Sequence, residues 1–510
     1  MKNKVLFILF LIIVLSSETR IYQLDTNPAG FFCDEAAIGF NAYSILTTGK
    51  DEYGKPFPVF FRSFGDYKNP VFIYSAIPFV AAFGLNEYST RLTAVAYGIF
   101  SIIAIYFLGK ELFNRKIALL TAFLLTISPW HIHFSHVGFD IIAPVPWIIL
   151  SLLFLQKSLK NFLWYPLACL FFIISFLSYT SPKLYLPPLF LSFLLINFKT
   201  TSKWLKDRRF WISNFIIGFF FFLLIGPYIQ NGTFFARWNQ VKINNFDLKT
   251  ISQGYFNHFS ADFLFKKGDI DFTGQNVTRH SIRGMGELYW FQLPFILIGL
   301  STILFVKKYR RNLLFLLAAL LLFPLGSIFT GTAPQATRSV FGLIPLVLFT
   351  ALGIHYSFKL ITGNLLKISS SIITISFVYV VAVSFSIFLN LLFRYPLYSS
   401  DFWGWQYGPR DIMKYFLTVQ NQYDDLYMSG EYNGAEIFLK FYDPENTCLG
   451  KCKIGDLWRN PAIYDPSRRQ LFALSPDYLN QSKFKNNFST KKILYYPNGK
   501  AAFLIGEVVP

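Results

Sequence analysis

The chain has 510 residues, 53% hydrophobic and 20% aromatic but only 15% charged, with a mean hydropathy of +0.40. Apolar runs of about twenty residues recur along it, which excludes a soluble globular domain and points to a polytopic membrane protein. The net charge of +19 does not mark a nucleic-acid binder, because the bases gather in short loops between apolar runs, as the positive-inside rule describes.

Lys2 and Lys4 precede an apolar segment, 5–24, read as an uncleaved first crossing. The small-residue pattern of a signal-peptide cleavage site is weak at Ser16 and Ser17, and apolar character resumes at Ile21. A long outer loop, 25–87, follows. Within it, 71–85 is apolar but short and interrupted by Pro78 and Gly84. Counting it as a crossing would put the basic clusters outside, so a helix lying in the outer interface is expected. Segments 88–109, 117–132, 141–156, 162–178, 184–198 and 210–228 then alternate across the bilayer. A second outer loop covers 229–287, and 288–306, 313–329, 339–356 and 369–391 bring the total to about eleven crossings. The N-terminus is then cytoplasmic and the C-terminus outside the cell membrane. The segments assigned to the cytoplasm hold eighteen Lys and Arg against only Glu111 and Asp207.

Residues 395–510 change character: apolar runs shorten and Asp, Asn, Tyr and Pro rise. Asp411 to Gln420 reads as an amphipathic helix, Asp425 to Ser429 as a strand, and 492–496 with 501–507 as a hairpin across Asn498-Gly499. The chain thus divides into a transmembrane part, 1–394, and a small extracytoplasmic α/β domain, 395–510. Cys448 and Cys452 in that domain are either a small disulfide or two free thiols. Trp403 and Trp405 are expected in an interfacial aromatic belt rather than as sugar platforms.

Asp34, Glu35, Lys68, Arg91, Asp140, Lys183, Arg279, His280 and Arg338 all fall at outer helix ends or in outer loops. Carboxylates facing several cations suit group transfer from a lipid phosphate: a carboxylate takes the proton of an acceptor hydroxyl, and cations stabilise charge on the departing phosphate. Nucleotide sugars are not available outside the cytoplasmic membrane, so an activated sugar has to arrive on a lipid. Plainer readings stand beside these. Asp34, Glu35 and Asp140 also suit helix starts, and Arg91, Lys183 and Arg338 also suit interfacial anchors. His131, His133 and His136 with Asp140 match no compact pair of metal ligands. No metal and no cofactor is indicated. A transporter or lipid flippase is disfavoured by the apolar span centres, such as 215–224, and by the lack of an internal repeat. A non-catalytic envelope assembly protein remains the other alternative.

The order Asp34-Glu35-Ala36, Lys68-Asn69-Pro70, Asn86-Glu87-Tyr88-Ser89-Thr90-Arg91-Leu92, Ser128-Pro129 leading to Asp140, and Pro334-Gln335-Ala336-Thr337-Arg338 resembles the GT-C glycosyltransferases of the protein O-mannosyltransferase and lipid A aminoarabinose transferase type. The stretches His258-Phe259-Ser260, Phe263-Leu264-Phe265, Gly268-Asp269, Arg279-His280 and Gly286-Glu287-Leu288-Tyr289 are similar to its bacterial members. The resemblance covers most of the first 350 residues. It departs at Lys68-Asn69-Pro70, where many relatives carry Lys-Pro-Pro. It implies a GT-C helical membrane fold and an inverting transfer from a polyprenyl-phosphate sugar to a protein, lipid or glycan hydroxyl. By the resemblance, Asp34 is the catalytic base. Glu35 would then orient Asp34 or the acceptor, and Asp140 would be a second carboxylate near the sugar. Lys68, Arg91, Lys183 and Arg338 are expected to contact phosphate and pyranose, with Arg279 and His280 on the substrate-binding loop.

Overall fold

The computed structural model describes residues 2–243, 247–269, 279–364, 367–402 and 404–509. Its first helix, α1 (Lys2–Ile21), leads into the segment that builds most of the site. There α2 (Cys33–Thr48) is closed by Gly49 in the left-handed conformation, φ +71°. A two-stranded hairpin follows, β1 (Phe61–Ser63) against β2 (Asp66–Lys68), with Phe61 opposite Lys68. Pro70 opens α3 (Pro70–Phe83), where the missing N–H of proline costs nothing, and Gly84 ends it at φ +75°. The expected helix over 71–85 is therefore present.

The long α4 (Glu87–Leu112) starts at Asn86, whose side chain accepts the Ser89 N–H at 2.8 Å while the Ser89 hydroxyl reaches back to the Asn86 N–H. It is followed by α5 (Arg115–Ile127) and α6 (Pro129–Ser135), bent by 61° at Ser128-Pro129. Each of the eleven apolar segments contains a helix, yet the expected count of crossings is not reached by length and composition. Six helices among the described residues are long and apolar enough to span a membrane, or eight if two bent pairs each make one span. For Phe162–Phe176 and Gln292–Phe305 the reason is length, whereas the 20-residue α1 carries Lys2, Lys4, Glu18 and Arg20. Gln292–Phe305 has 14 residues, about 21 Å at 1.5 Å per residue against a core of roughly 30 Å.

The packing is that of a membrane bundle. Helices Gln292–Phe305 and Leu343–Asn364 meet backbone to backbone, because Gly299 faces the Phe349 carbonyl and Gly353 the Phe295 carbonyl with no room for a Cβ. Helices Arg208–Gln230 and Ser371–Arg394 keep their apolar side chains outside, Phe215 at 73% and Ile375 at 68% exposure. Surfaces of that size and character call for lipid rather than water.

The C-terminal sheet has five strands, β3 (Asp425–Met428), β4 (Cys452–Ile454), β5 (Gln470–Leu474), β6 (Phe488–Tyr495) and β7 (Ala501–Val508), in the order β4-β3-β5-β7-β6. β3 runs parallel to β4 and β5; β7 is antiparallel to β5 and β6. The expected helix, strand and Asn-Gly hairpin appear at Pro409–Val419, β3 and β6–β7, with Gly499 at φ +82°. Cys448 and Cys452 are bridged. The helix Glu436–Tyr442, between β3 and β4, ties this part to the first: Tyr442 donates its hydroxyl to buried Glu87 at 2.8 Å, and Lys440 pairs with Glu52 at 3.1 Å. Trp405 does not join an interfacial belt. It is fully buried, stacked on Phe139 with its indole N–H on the Tyr395 hydroxyl. Trp403 lies outside the described residues.

Candidate active site

A cavity of about 420 Å³ lies where the first turn of α2, the β1–β2 hairpin, the turn at Phe139–Ile141, the segment Gln335–Arg338 and the loop after β3 converge. Four permanent cations line it, Lys68, Arg237, Arg279 and Arg338, against three carboxylates, Asp34, Asp66 and Asp140. Such a surplus of fixed positive charge suits a phosphate.

Asp34 sits in the first turn of α2, where the helix dipole favours negative charge. Its Oδ1 accepts from Lys68 Nζ at 2.5 Å, with Asp34 39% and Lys68 17% exposed. Burial works against the Asp34 charge, but Lys68, then Arg237 and Arg279, outweigh it and hold the carboxyl below its ordinary pKa. Burial likewise opposes the Lys68 ammonium, and Asp34 followed by Asp140 more than compensates, so its pKa lies above the usual lysine value. Asp140 lines the same cavity and is close enough to reinforce Lys68.

Glu35 goes the other way. Successive residues on a helix point about 100° apart, so with Asp34 in the cavity, Glu35 enters the core. Its carboxylate is fully buried and accepts from Arg91 Nε at 2.9 Å, Arg91 Nη2 at 3.2 Å, the Phe32 N–H and the Gly138 N–H. Arg91 is equally buried and also donates to the carbonyls of Leu24, Pro28 and Gly30. Neither residue lines the cavity, which corrects the expectation that Arg91 meets phosphate and Glu35 the acceptor: the pair holds the loop before α2 against α4.

Lys183 also turns away from the cavity lining, its ammonium 4.1 Å from the Phe234 ring centre and 5.5 Å from that of Phe60. Arg279 lies over Phe32 at 3.9 Å and donates to the Gly404 carbonyl. Arg338 donates to the Thr330 hydroxyl at 2.7 Å. His280 reaches the buried Asp269 at 3.3 Å, and Asp269 in turn accepts the Ala336 N–H. Glu287 beside it is pushed well above the carboxyl range, first by burial and then by Asp269. The three histidines of α6 and its end do not gather at Asp140. His131 Nδ1 accepts from Arg20, and His133 Nε2 donates to the Arg279 carbonyl. Among the described residues no group of three His, Cys, Asp or Glu is arranged to hold a metal.

Sequence reasoning missed Arg237 and Asn433. Arg237 pairs with Asp66 at 3.2 Å, joining the two long loops. The Arg237-Trp238 step, a base beside an indole in a polar loop, is the signal that marks it as interfacial. Asn433, some four hundred positions from Asp34, carries no such signal.

Residues 67–226 match the family model described as dolichyl-phosphate-mannose-protein mannosyltransferase. No curated protein matches the sequence. ArnT from Cupriavidus metallidurans in the apo state has a similar fold, with a TM-score of 0.54 at 12% identity over 100% of this chain and 98% of that one. The same enzyme bound to undecaprenyl phosphate gives 0.54 at 12% over 98% of each chain. The Archaeoglobus fulgidus oligosaccharyltransferase tethered with an acceptor peptide gives 0.54 at 12% over 99% of this chain and 74% of that one. The resemblance to GT-C glycosyltransferases of the protein O-mannosyltransferase and aminoarabinose transferase type is thus borne out.

Proposed function

We propose that the protein is an inverting glycosyltransferase that moves a sugar from a polyprenyl-phosphate donor to an acceptor hydroxyl on the outer face of the cell membrane. The observation that carries this reading is the Asp34–Lys68 pair inside a cavity with a surplus of fixed cations. The undecaprenyl phosphate held by the similarly folded ArnT supports a lipid phosphate as the leaving group.

The chemistry follows from the two partners. Asp34 accepts the acceptor's hydroxyl proton as the oxygen attacks the anomeric carbon. The bond from that carbon to the phosphate oxygen breaks, and the lipid phosphate leaves with the electron pair. Lys68, Arg237 and Arg338 stabilise the charge that grows on it. While Lys68 is bound to Asp34 alone, the carboxylate is a weak base. A donor phosphate that shares the ammonium relaxes that grip and raises the basicity of Asp34 when the acceptor needs it. Asp140 and His280 face the same space and suit the sugar hydroxyls.

The test is to incubate the purified protein with a panel of polyprenyl-phosphate sugars and an envelope-derived acceptor fraction. Consumption of one donor, with inverted anomeric configuration in the product, is expected. No consumption across the panel, or retention of configuration, would refute the assignment.

A further inference from the structure

The helix that carries Asp34 begins without a capping oxygen. Its N-cap is Phe32; the Glu35 and Ala36 N–H groups turn back to the Phe32 carbonyl at 2.9 and 3.1 Å, whereas the N–H of the first helical residue, Cys33, needs a partner from elsewhere. The N–H of Cys33, a fully buried residue, finds its partner 373 residues away: Gln406 Oε1 accepts it at 2.8 Å. Gln406 is itself fully buried and held at φ +51°, a conformation that favours glycine. Its Nε2 donates to the Asn433 carbonyl at 3.2 Å.

Asn433 belongs to the loop that leaves the sheet after β3, and it lines the cavity. The next residue, Gly434 at φ +62°, lies so close to the Phe64 ring that no Cβ would fit. Phe64 is at the tip of the hairpin whose second strand ends in Lys68. One buried amide therefore links the helix of Asp34 to a loop that touches the cavity and the hairpin of Lys68.

We infer that Gln406 is a positioning residue through which the C-terminal sheet domain sets the Asp34 carboxylate, and that Asn433 is the acceptor-facing end of that link. The inference rests on the reading of Asp34 as base. Without Gln406 the Cys33 N–H is left buried and unpaired, the first turn of α2 loosens, and Asp34 drifts from its place opposite the anomeric carbon. A misplacement of about 1 Å costs on the order of 100-fold in rate.

The test uses the full-length protein in detergent with the donor it consumes. Gln406→Gly removes the side chain and suits the left-handed backbone, so folding is preserved. Gln406→Glu, kept neutral by its full burial, retains an oxygen for the Cys33 N–H and an O–H for the Asn433 carbonyl. Gln406→Gly should lower kcat by roughly 10- to 100-fold with little change in donor KM. Gln406→Glu should recover most of that loss, and Asn433→Ala should raise KM for the acceptor alone. Maleimide labelling located by mass spectrometry should reach the Cys33 thiol in Gln406→Gly and not in the parent. Unchanged kcat with Cys33 still protected would overturn the inference, as would a loss that Gln406→Glu does not relieve. Activity retained in Asp34→Asn would instead defeat the base assignment itself.

Discussion

Two adjacent carboxylates should fail in opposite ways. Asp34 faces the cavity, partly exposed and paired with Lys68 at 2.5 Å. Ion pairs of that exposure contribute about 0–1 kcal/mol, so Asp34→Asn should leave the melting temperature close to that of the parent while abolishing transfer. Glu35 accepts four hydrogen bonds in the core, two from Arg91 and one each from the N–H groups of Phe32 and Gly138. Glu35→Ala strands the Arg91 guanidinium with three carbonyls and orphans both amides. Removing one partner of a buried pair costs roughly 3–5 kcal/mol, a large part of the ~5–15 kcal/mol that holds a protein folded. Thermal unfolding in detergent, followed by tryptophan fluorescence, separates the two variants. A Glu35→Ala protein that melts with the parent, or an Asp34→Asn protein destabilised as much as Glu35→Ala, would refute the division of roles.

Other outcomes follow from the same geometry. Lys68→Met and Arg237→Ala each remove a cation from the cavity; loss of a charge-assisted contact of roughly 1.5–3 kcal/mol should raise donor KM about 10- to 100-fold, and an unchanged KM would clear them of phosphate binding. Glu287 has its folded pKa raised, so the unfolded chain releases that proton first and stability falls as pH rises above about 4.3, the ordinary glutamate value. Glu287→Gln mimics the neutral form and keeps the oxygen that accepts the Asp269 N–H; melting curves from pH 5 to 9 should show a shallower decline than the parent, and identical slopes would refute the assignment. Gly353→Val drives a branched side chain into the Phe295 carbonyl, so the yield of monodisperse protein should collapse, whereas Gly218→Val on a face with open space should be tolerated.

Much of the helical layout was legible because apolar runs and basic loops obey strong physical rules. The number of crossings was not. A helix such as Gln292–Phe305 can be too short to span alone, and Pro129 and the helix break at Asn197 bend others. Asp34, Lys68, Asp140, Arg279, His280 and Arg338 were legible as a polar group on one side, and they do share a cavity. Glu35 and Arg91 read the same way in the sequence, yet which side chain of a helix turn enters the core depends on where the helix starts, and a shift of one residue would exchange Asp34 and Glu35. Gln406 meets Cys33 across 373 residues, and no local pattern encodes that contact or the place of Asn433 at the cavity. Trp405 likewise was buried by Phe139 and Tyr395 rather than left at an interface.

The most direct measurement is a single-turnover reaction of the consumed polyprenyl-phosphate sugar with parent protein and with Asp34→Asn, after donor binding has been shown equal in both. The parent should transfer the sugar and release the lipid phosphate, and the variant should hold the donor without turning it over. Equal turnover by the two proteins would contradict the claim that this cavity, with Asp34 as its base, is where the sugar changes hands.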